Sequence, residues 1–123
     1  MQKLVLALCA AAFLSAATLT AADTQPSTVI HVITVKWKAD ATPAQISKAL
    51  QMAASLPSEY PGIKHVWVKA IKKQIPEGYN DVIVMEFASQ DALQKYAGSA
   101  AQKKWYDAYM AVREESRTSD VTN

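Results

Sequence analysis

Cysteine and glycine are scarce in this chain: Cys9 stands alone and only three glycines occur in 123 residues. A lone cysteine gives no disulfide framework, so stability has to come from an apolar core or from a partner subunit. Three glycines are too few for a phosphate-cradling loop, which sets nucleotide-dependent chemistry aside. Long hydrophobic runs are lacking too, because the apolar stretch from Leu4 to Leu14 is too short to span a bilayer as a helix. Nor does one sign of charge dominate: 13 Lys and Arg stand against 11 Asp and Glu, and the pairs Lys72-Lys73 and Lys103-Lys104 read as solvated surface. Without a basic stripe, no nucleic-acid partner is expected. The chain has two histidines, and His65 has no second histidine or carboxylate at ligand spacing, so no metal site is expected. Motifs for a serine nucleophile and for paired catalytic carboxylates are missing as well.

What is present begins with an export pattern. Met1-Gln2-Lys3 carries one positive side chain, the apolar run follows, and Thr20-Ala21-Ala22 puts small residues where cleavage requires them. Residues 1–22 therefore read as a secretory signal peptide, cut before Asp23. Leu8 is not the small residue that precedes a lipidated cysteine, so Cys9 reads as part of the signal. The mature protein is expected to be secreted or periplasmic, with no membrane attachment after processing. Residues 23–28, which include Pro26, form a flexible leader, and 29–123 form one domain. A chain of about 100 residues buries only about two thirds of its surface, so a second copy would help to stabilise it.

Alternation in Val29-Ile30-His31-Val32-Ile33-Thr34-Val35-Lys36-Trp37 predicts a strand with His31 on the same side as Val29, Ile33, Val35 and Trp37. The opposite side turns polar towards its end, so the His31 side faces the core. Thr42 and Pro43 then start a helix reaching about Leu56, with an apolar stripe of Ile46, Leu50, Ala53 and Ala54. Pro57 and Pro61 are expected to stop it. A second strand is expected from Ile63 to about Ile71 and a third from Asp81 to Phe87, separated by a loop containing Pro76 and Gly78. Ser89 caps a helix bearing Leu93 and Tyr96; after Gly98-Ser99 another helical segment presents Trp105, Tyr109 and Val112 to the sheet. The polar tail from Arg117 to Asn123 suits a fourth, edge strand.

Strand, helix, strand, strand, helix, strand is the order of an α+β, ferredoxin-like split β-α-β sandwich. Both helical layers then cover one face of an antiparallel sheet. Ile30, Val32, Val82 and Val84 lie on the other face, where an apolar surface of that size calls for a cover, and a two-fold copy supplies it.

Several short segments carry a family likeness: Ile30-His31-Val32-Ile33, Lys36-Trp37-Lys38, Pro61-Gly62-Ile63, Gly78-Tyr79, and Phe87-Ala88-Ser89 through Leu93 to Tyr96. In these, and in their order along nearly all of the mature chain, the protein resembles the stress-responsive dimeric α/β-barrel (Dabb) family. The resemblance implies a homodimer in which two ferredoxin-like sheets close into a barrel, with a small apolar cavity between sheet and helices in each subunit. Most members have no known activity; one plant member is a cofactor-free polyketide cyclase using a histidine on the first strand and a tyrosine on the second helix. Those motif positions are His31 and Tyr96 here. A following His-Pro-Ala-His stretch in the family reads Ser99-Ala100-Ala101-Gln102 in this chain, so neither of its histidines carries over.

His31 has two readings: a general base or acid in a partly dry pocket, or a core histidine satisfied by a backbone carbonyl or by Tyr96. Tyr96 either packs between helix and sheet or aims its hydroxyl at a ligand. Together they could remove a proton and polarise a carbonyl without a cofactor, although no third group is evident to orient the imidazole. Haem, bound elsewhere in dimeric barrels of this broad class, finds no specific support in the sequence, and no cofactor is expected. The leading expectation is a homodimer that binds a small, mostly apolar molecule. Ile33, Val35, Leu50, Ile83, Met85 and Trp105 are expected to form the walls, with His31 and Tyr96 as the polar contacts and tentative catalytic pair. A cofactor-free lyase, cyclase or isomerase with His31 as base is the alternative, followed by a non-catalytic stress-response or assembly module.

Overall fold

The computed structural model describes residues 27–123. The expected signal peptide over residues 1–22, Cys9 within it, and residues 23–26 of the expected leader lie outside the described residues.

In β1 (Val29–Trp37), Val29, Ile33, Val35 and Trp37 are buried on the same face as His31, while Ile30, Val32, Thr34 and Lys36 turn to the other face, as strand alternation dictates. α1 (Pro43–Ala54) starts on a capping box: the Gln45 amide donates to Thr42 Oγ1, and the Thr42 amide donates to Gln45 Oε1. The helix ends at Ala54 rather than Leu56. Ser55 closes it, and Pro57 falls in the first turn of a second short helix, α2 (Leu56–Glu59), where its missing N–H leaves no bond unmade. Pro57 thus opens a turn instead of terminating one.

β2 (Ile63–Trp67) is shorter than the expected strand to Ile71, whose side chain is 98% exposed in the loop that follows. A register shift between Ile63 and His65 lets Ile63 pair with Phe87 inside while His65 and Trp67 sit across from Glu86 and Val84 on the outer face. Gly62 is needed just before it, because a β-carbon there would come within 2.5 Å of the Tyr60 ring.

β3 (Asp81–Phe87) is central, with Ile83, Met85 and Phe87 fully buried. α3 (Gln90–Tyr96) and α4 (Ala100–Val112) are capped by the hydroxyls of Ser89 and Ser99, which accept from the amides of Ala92 and Gln102. β4 (Arg113–Thr122) begins directly where α4 ends and is longer than the tail strand read from the sequence.

The sheet is antiparallel, in the order β2-β3-β1-β4. Ala49, Ala53, Trp105, Tyr109 and Val112 from the helices join Ile33, Val35, Ile83, Met85 and Phe87 in one core on a single face of the sheet. The indole N–H of Trp105 donates to the Ala49 carbonyl at 3.0 Å, tying α4 to α1. This is the ferredoxin-like α+β fold. On its other face Ile30, Val32, Val82 and Val84 stay partly open, and Trp67 and Val121, near opposite edges, are 50% and 58% exposed.

Candidate functional site

Between the inner face and the helices lies a cavity of about 230 Å³. β1 contributes His31 and Ile33, and β3 contributes Met85; Leu93 and Tyr96 come from α3, and Gln102, Trp105, Tyr106 and Tyr109 from α4. The remaining wall is β4, with Arg113, Ser116 and Thr118. Most of this lining is apolar or aromatic, and its polar groups occupy a few fixed positions, the usual make-up of a small-molecule site.

β1 places His31 opposite Met85 on one side and Asp120 on the other. The imidazole packs edge-on against Phe87, with centroids 6.0 Å apart, and its Nδ1 meets Asp120 Oδ1 at 2.5 Å. The histidine side chain is 17% exposed, and that of Asp120 is 49%. When Nδ1–H donates to this carboxylate, Nε2 holds the lone pair and is the nitrogen able to accept a proton. Asp120 is therefore the orienting group that the sequence did not disclose.

Tyr96 ends α3 with its ring between Phe87 and Tyr60, at centroid distances of 5.3 and 5.4 Å. Its buried hydroxyl has no hydrogen-bond partner among the described residues. Burial pushes its proton affinity well above the ordinary tyrosine value, reinforced by nearby Tyr106, so the group remains a neutral donor. Tyr109 is also pushed up by burial, with Ser116 and Arg113 acting in the opposite direction. Arg113 reaches over the Tyr109 ring, 5.8 Å from its centroid, and donates from Nη1 to Ser116 Oγ at 2.9 Å.

Of the residues expected at the site, His31, Tyr96, Ile33, Met85 and Trp105 line this one cavity. Val35, Leu50 and Ile83 do not. Val35 and Ile83 are fully buried in the core farther along the sheet, and Leu50 packs at its margin from α1, because the cavity is roofed by α3 and α4. Gln102, at the end of the stretch where the family likeness has a second histidine, also lines the cavity; it accepts from the Gly98 amide and donates to Tyr106 Oη at 3.3 Å.

Asp120 and Arg113 were missed because the inward row of β4 is polar, which hides a strand from any search for apolar alternation. The available signal was spacing: Ser116, Thr118 and Asp120 alternate and pair with Val35, Ile33 and His31. A second hollow of about 290 Å³, lined by Val29, Gln90, Gln94, Asp120 and Thr122 among others, shares Leu93 with the first. Asp120, the partner of His31, thus borders this second hollow. Among the described residues no group of three His, Cys, Asp or Glu is placed to hold a metal ion, and no helix is long and apolar enough to cross a membrane.

A four-stranded antiparallel sheet with helices on one side of it, and a hollow between the layers, define a ferredoxin-like α+β domain. The chain belongs to the stress responsive A/B barrel domain (Dabb) family, whose model matches residues 29–123. No curated protein matches its sequence. Among solved structures it is similar to the hydroxynitrile lyase of Passiflora edulis, with TM-score 0.71 and 14% identity over 80% of this chain and 95% of that one. It is similar also to a dimeric ferredoxin-like protein from Thermobifida fusca, with TM-score 0.66 and 15% identity over 80% and 93%. SnoaB, a cofactor-independent oxygenase from Streptomyces nogalater, matches with TM-score 0.62 and 14% identity over 79% and 93%. At such identities the likeness is one of fold.

Proposed function

We propose that the protein is a secreted or periplasmic homodimer that binds a small, mostly apolar molecule in the cavity between its sheet and helices. The observation that carries this reading is the Tyr96 hydroxyl, buried without a partner on the wall of a 230 Å³ hollow. A buried donor left unmatched costs about 1–3 kcal/mol, and an acceptor on a bound molecule removes that penalty. Pairing is supported by the half-open apolar outer face and by the dimeric nature of the Thermobifida fusca protein. Export is supported by the charged, apolar and small-residue succession of residues 1–22.

A second reading, cofactor-free lyase, cyclase or isomerase chemistry, is favoured by the His31–Asp120 contact. An imidazole held through Nδ1 by a carboxylate is a general base at Nε2, and Tyr96 would donate to the oxygen on which charge develops. That a hydroxynitrile lyase and a cofactor-independent oxygenase share the fold is consistent with this.

Titration of the mature protein with the neutral aromatic probe 2-naphthol, followed by tryptophan fluorescence, tests the binding reading. Saturable binding that weakens at least about tenfold in His31→Ala, with the melting temperature and dimer retained, supports it. Equal binding by the variant, or a lowered melting temperature alone, makes His31 a core residue. For the second reading, histidine-dependent exchange of the α-protons of a small aromatic ketone in D2O is the expected signal, absent in His31→Ala.

A further inference from the structure

Arg113 is the one cationic side chain among the described residues that line the cavity, histidine aside, and no described carboxylate is paired with it. The acidic groups nearby in sequence are already engaged: Glu114 with Lys36, Glu115 with Arg117, and Asp120 with His31. Within the protein its guanidinium donates a hydrogen bond to a neutral hydroxyl, that of Ser116, and its Nε is buried without an acceptor. A part-buried guanidinium on an apolar wall is costly unless an anion meets it, and its planar fork matches two oxygens held in one plane.

Arg113 pairs with Trp37 while Asp120 pairs with His31, so the two ends of the inward row of β4 stand roughly 20 Å apart at the backbone. Arg113 and His31 nonetheless line the same cavity, with the guanidinium approaching from the end opposite the imidazole. Between them lie Ile33, Met85 and Trp105. A cavity of about 150 Å³ is enough for benzene, so 230 Å³ takes a single aromatic ring with a short side chain.

Resting on the binding reading above, we infer that the ligand is an aromatic carboxylate whose anionic group is received by Arg113 while its ring lies against Trp105. Specificity then resides in Arg113, a residue separate from the His31–Tyr96 pair.

The test compares 3-phenylpropionate with its neutral isostere 3-phenylpropionamide, by calorimetry on the intact mature dimer at pH 7. The acid is expected to bind about 10- to 100-fold more tightly than the amide, the span of a charge-assisted hydrogen bond. Arg113→Gln should abolish that ratio, and Arg113→Lys should keep part of it. Because the acid-to-amide ratio of the unsubstituted protein is itself decisive, the test survives a variant that fails to fold. If 2-naphthol and the amide bind as well as the acid does, the inference falls and the cavity reading stands. If none of the three probes binds, the cavity reading falls first.

Discussion

The imidazole of His31 and the carboxylate of Asp120 face one another across the β1–β4 pair, 89 residues apart in sequence and 2.5 Å apart between Nδ1 and Oδ1. A cross-strand pair of this kind fixes both the rotamer and the tautomer of the ring.

Asp120→Ala should therefore shift His31 from the Nδ1–H tautomer towards the Nε2–H form, observed by 15N NMR of the ring nitrogens. Its effect on stability should be about 1 kcal/mol or less, because the lost carboxylate is half exposed. An unchanged tautomer would show that the strand backbone alone holds the ring.

Tyr96→Phe has opposite expected effects on the free and bound protein. Removing a buried, unpartnered hydroxyl should leave the unliganded domain as stable as before, or more stable by up to about 1 kcal/mol in urea unfolding. Binding of a carbonyl-bearing aromatic probe should weaken about tenfold. Equal weakening of stability and binding would mean that the hydroxyl has a structural partner.

Alkaline pH should expose the same residue. Burial raises the proton affinity of Tyr96 and Tyr109 in the folded state, so between the unfolded tyrosine value near 10 and the raised folded values the unfolded chain releases protons that the native one keeps. Stability is fully present below about pH 10 and declines as pH climbs beyond it. Tyr96→Phe should flatten that decline, as measured by melting temperature against pH, and tyrosinate absorbance for these two residues should rise only with unfolding. A flat stability profile up to pH 12 would contradict the burial seen here.

Val84 lies opposite Val32 on one side and Trp67 on the other, in the middle of the outer face. Val84→Arg is expected to yield a folded monomer in sedimentation velocity, since a charge at the centre of an apolar contact must be desolvated without a partner. A dimer of unchanged affinity would place the contact elsewhere.

How far the sequence reveals this architecture depends on where apolar spacing tracks burial. β1 and β3 alternate cleanly because one face packs on the core, and Thr42, Ser89 and Ser99 mark helix starts because their hydroxyls satisfy free amides. The inward aim of His31 follows from the same alternation. β2 is harder: its register shift at Ile63 breaks the two-residue period, and Val68 and Ala70 prolong an apolar pattern beyond Trp67, where the paired strand stops. β4 is hardest, since its inner side chains border a cavity rather than the core and so have no reason to be greasy. Asp120 and Arg113 were hidden by that strand, and with them the orienting carboxylate and the cation at the far end. Val35, Leu50 and Ile83 were apolar and inward, but inwardness alone does not distinguish a packed layer from the lining of a void.

The passage from α4 to β4 contains no loop: Val112 is the last helical residue, Arg113 the first of the strand, and the Lys38 amide donates to the Val112 carbonyl at 2.8 Å. Such a seam has no slack. One residue inserted there would push the following segment forward by a single place, turning Glu115, Arg117 and Ser119 inward and swinging Ser116, Thr118 and Asp120 out to the other face. The other three strands would still hold the sheet through that slip, while the hollow would exchange two hydroxyls for a pair of opposite charges and His31 would face a serine in place of its carboxylate.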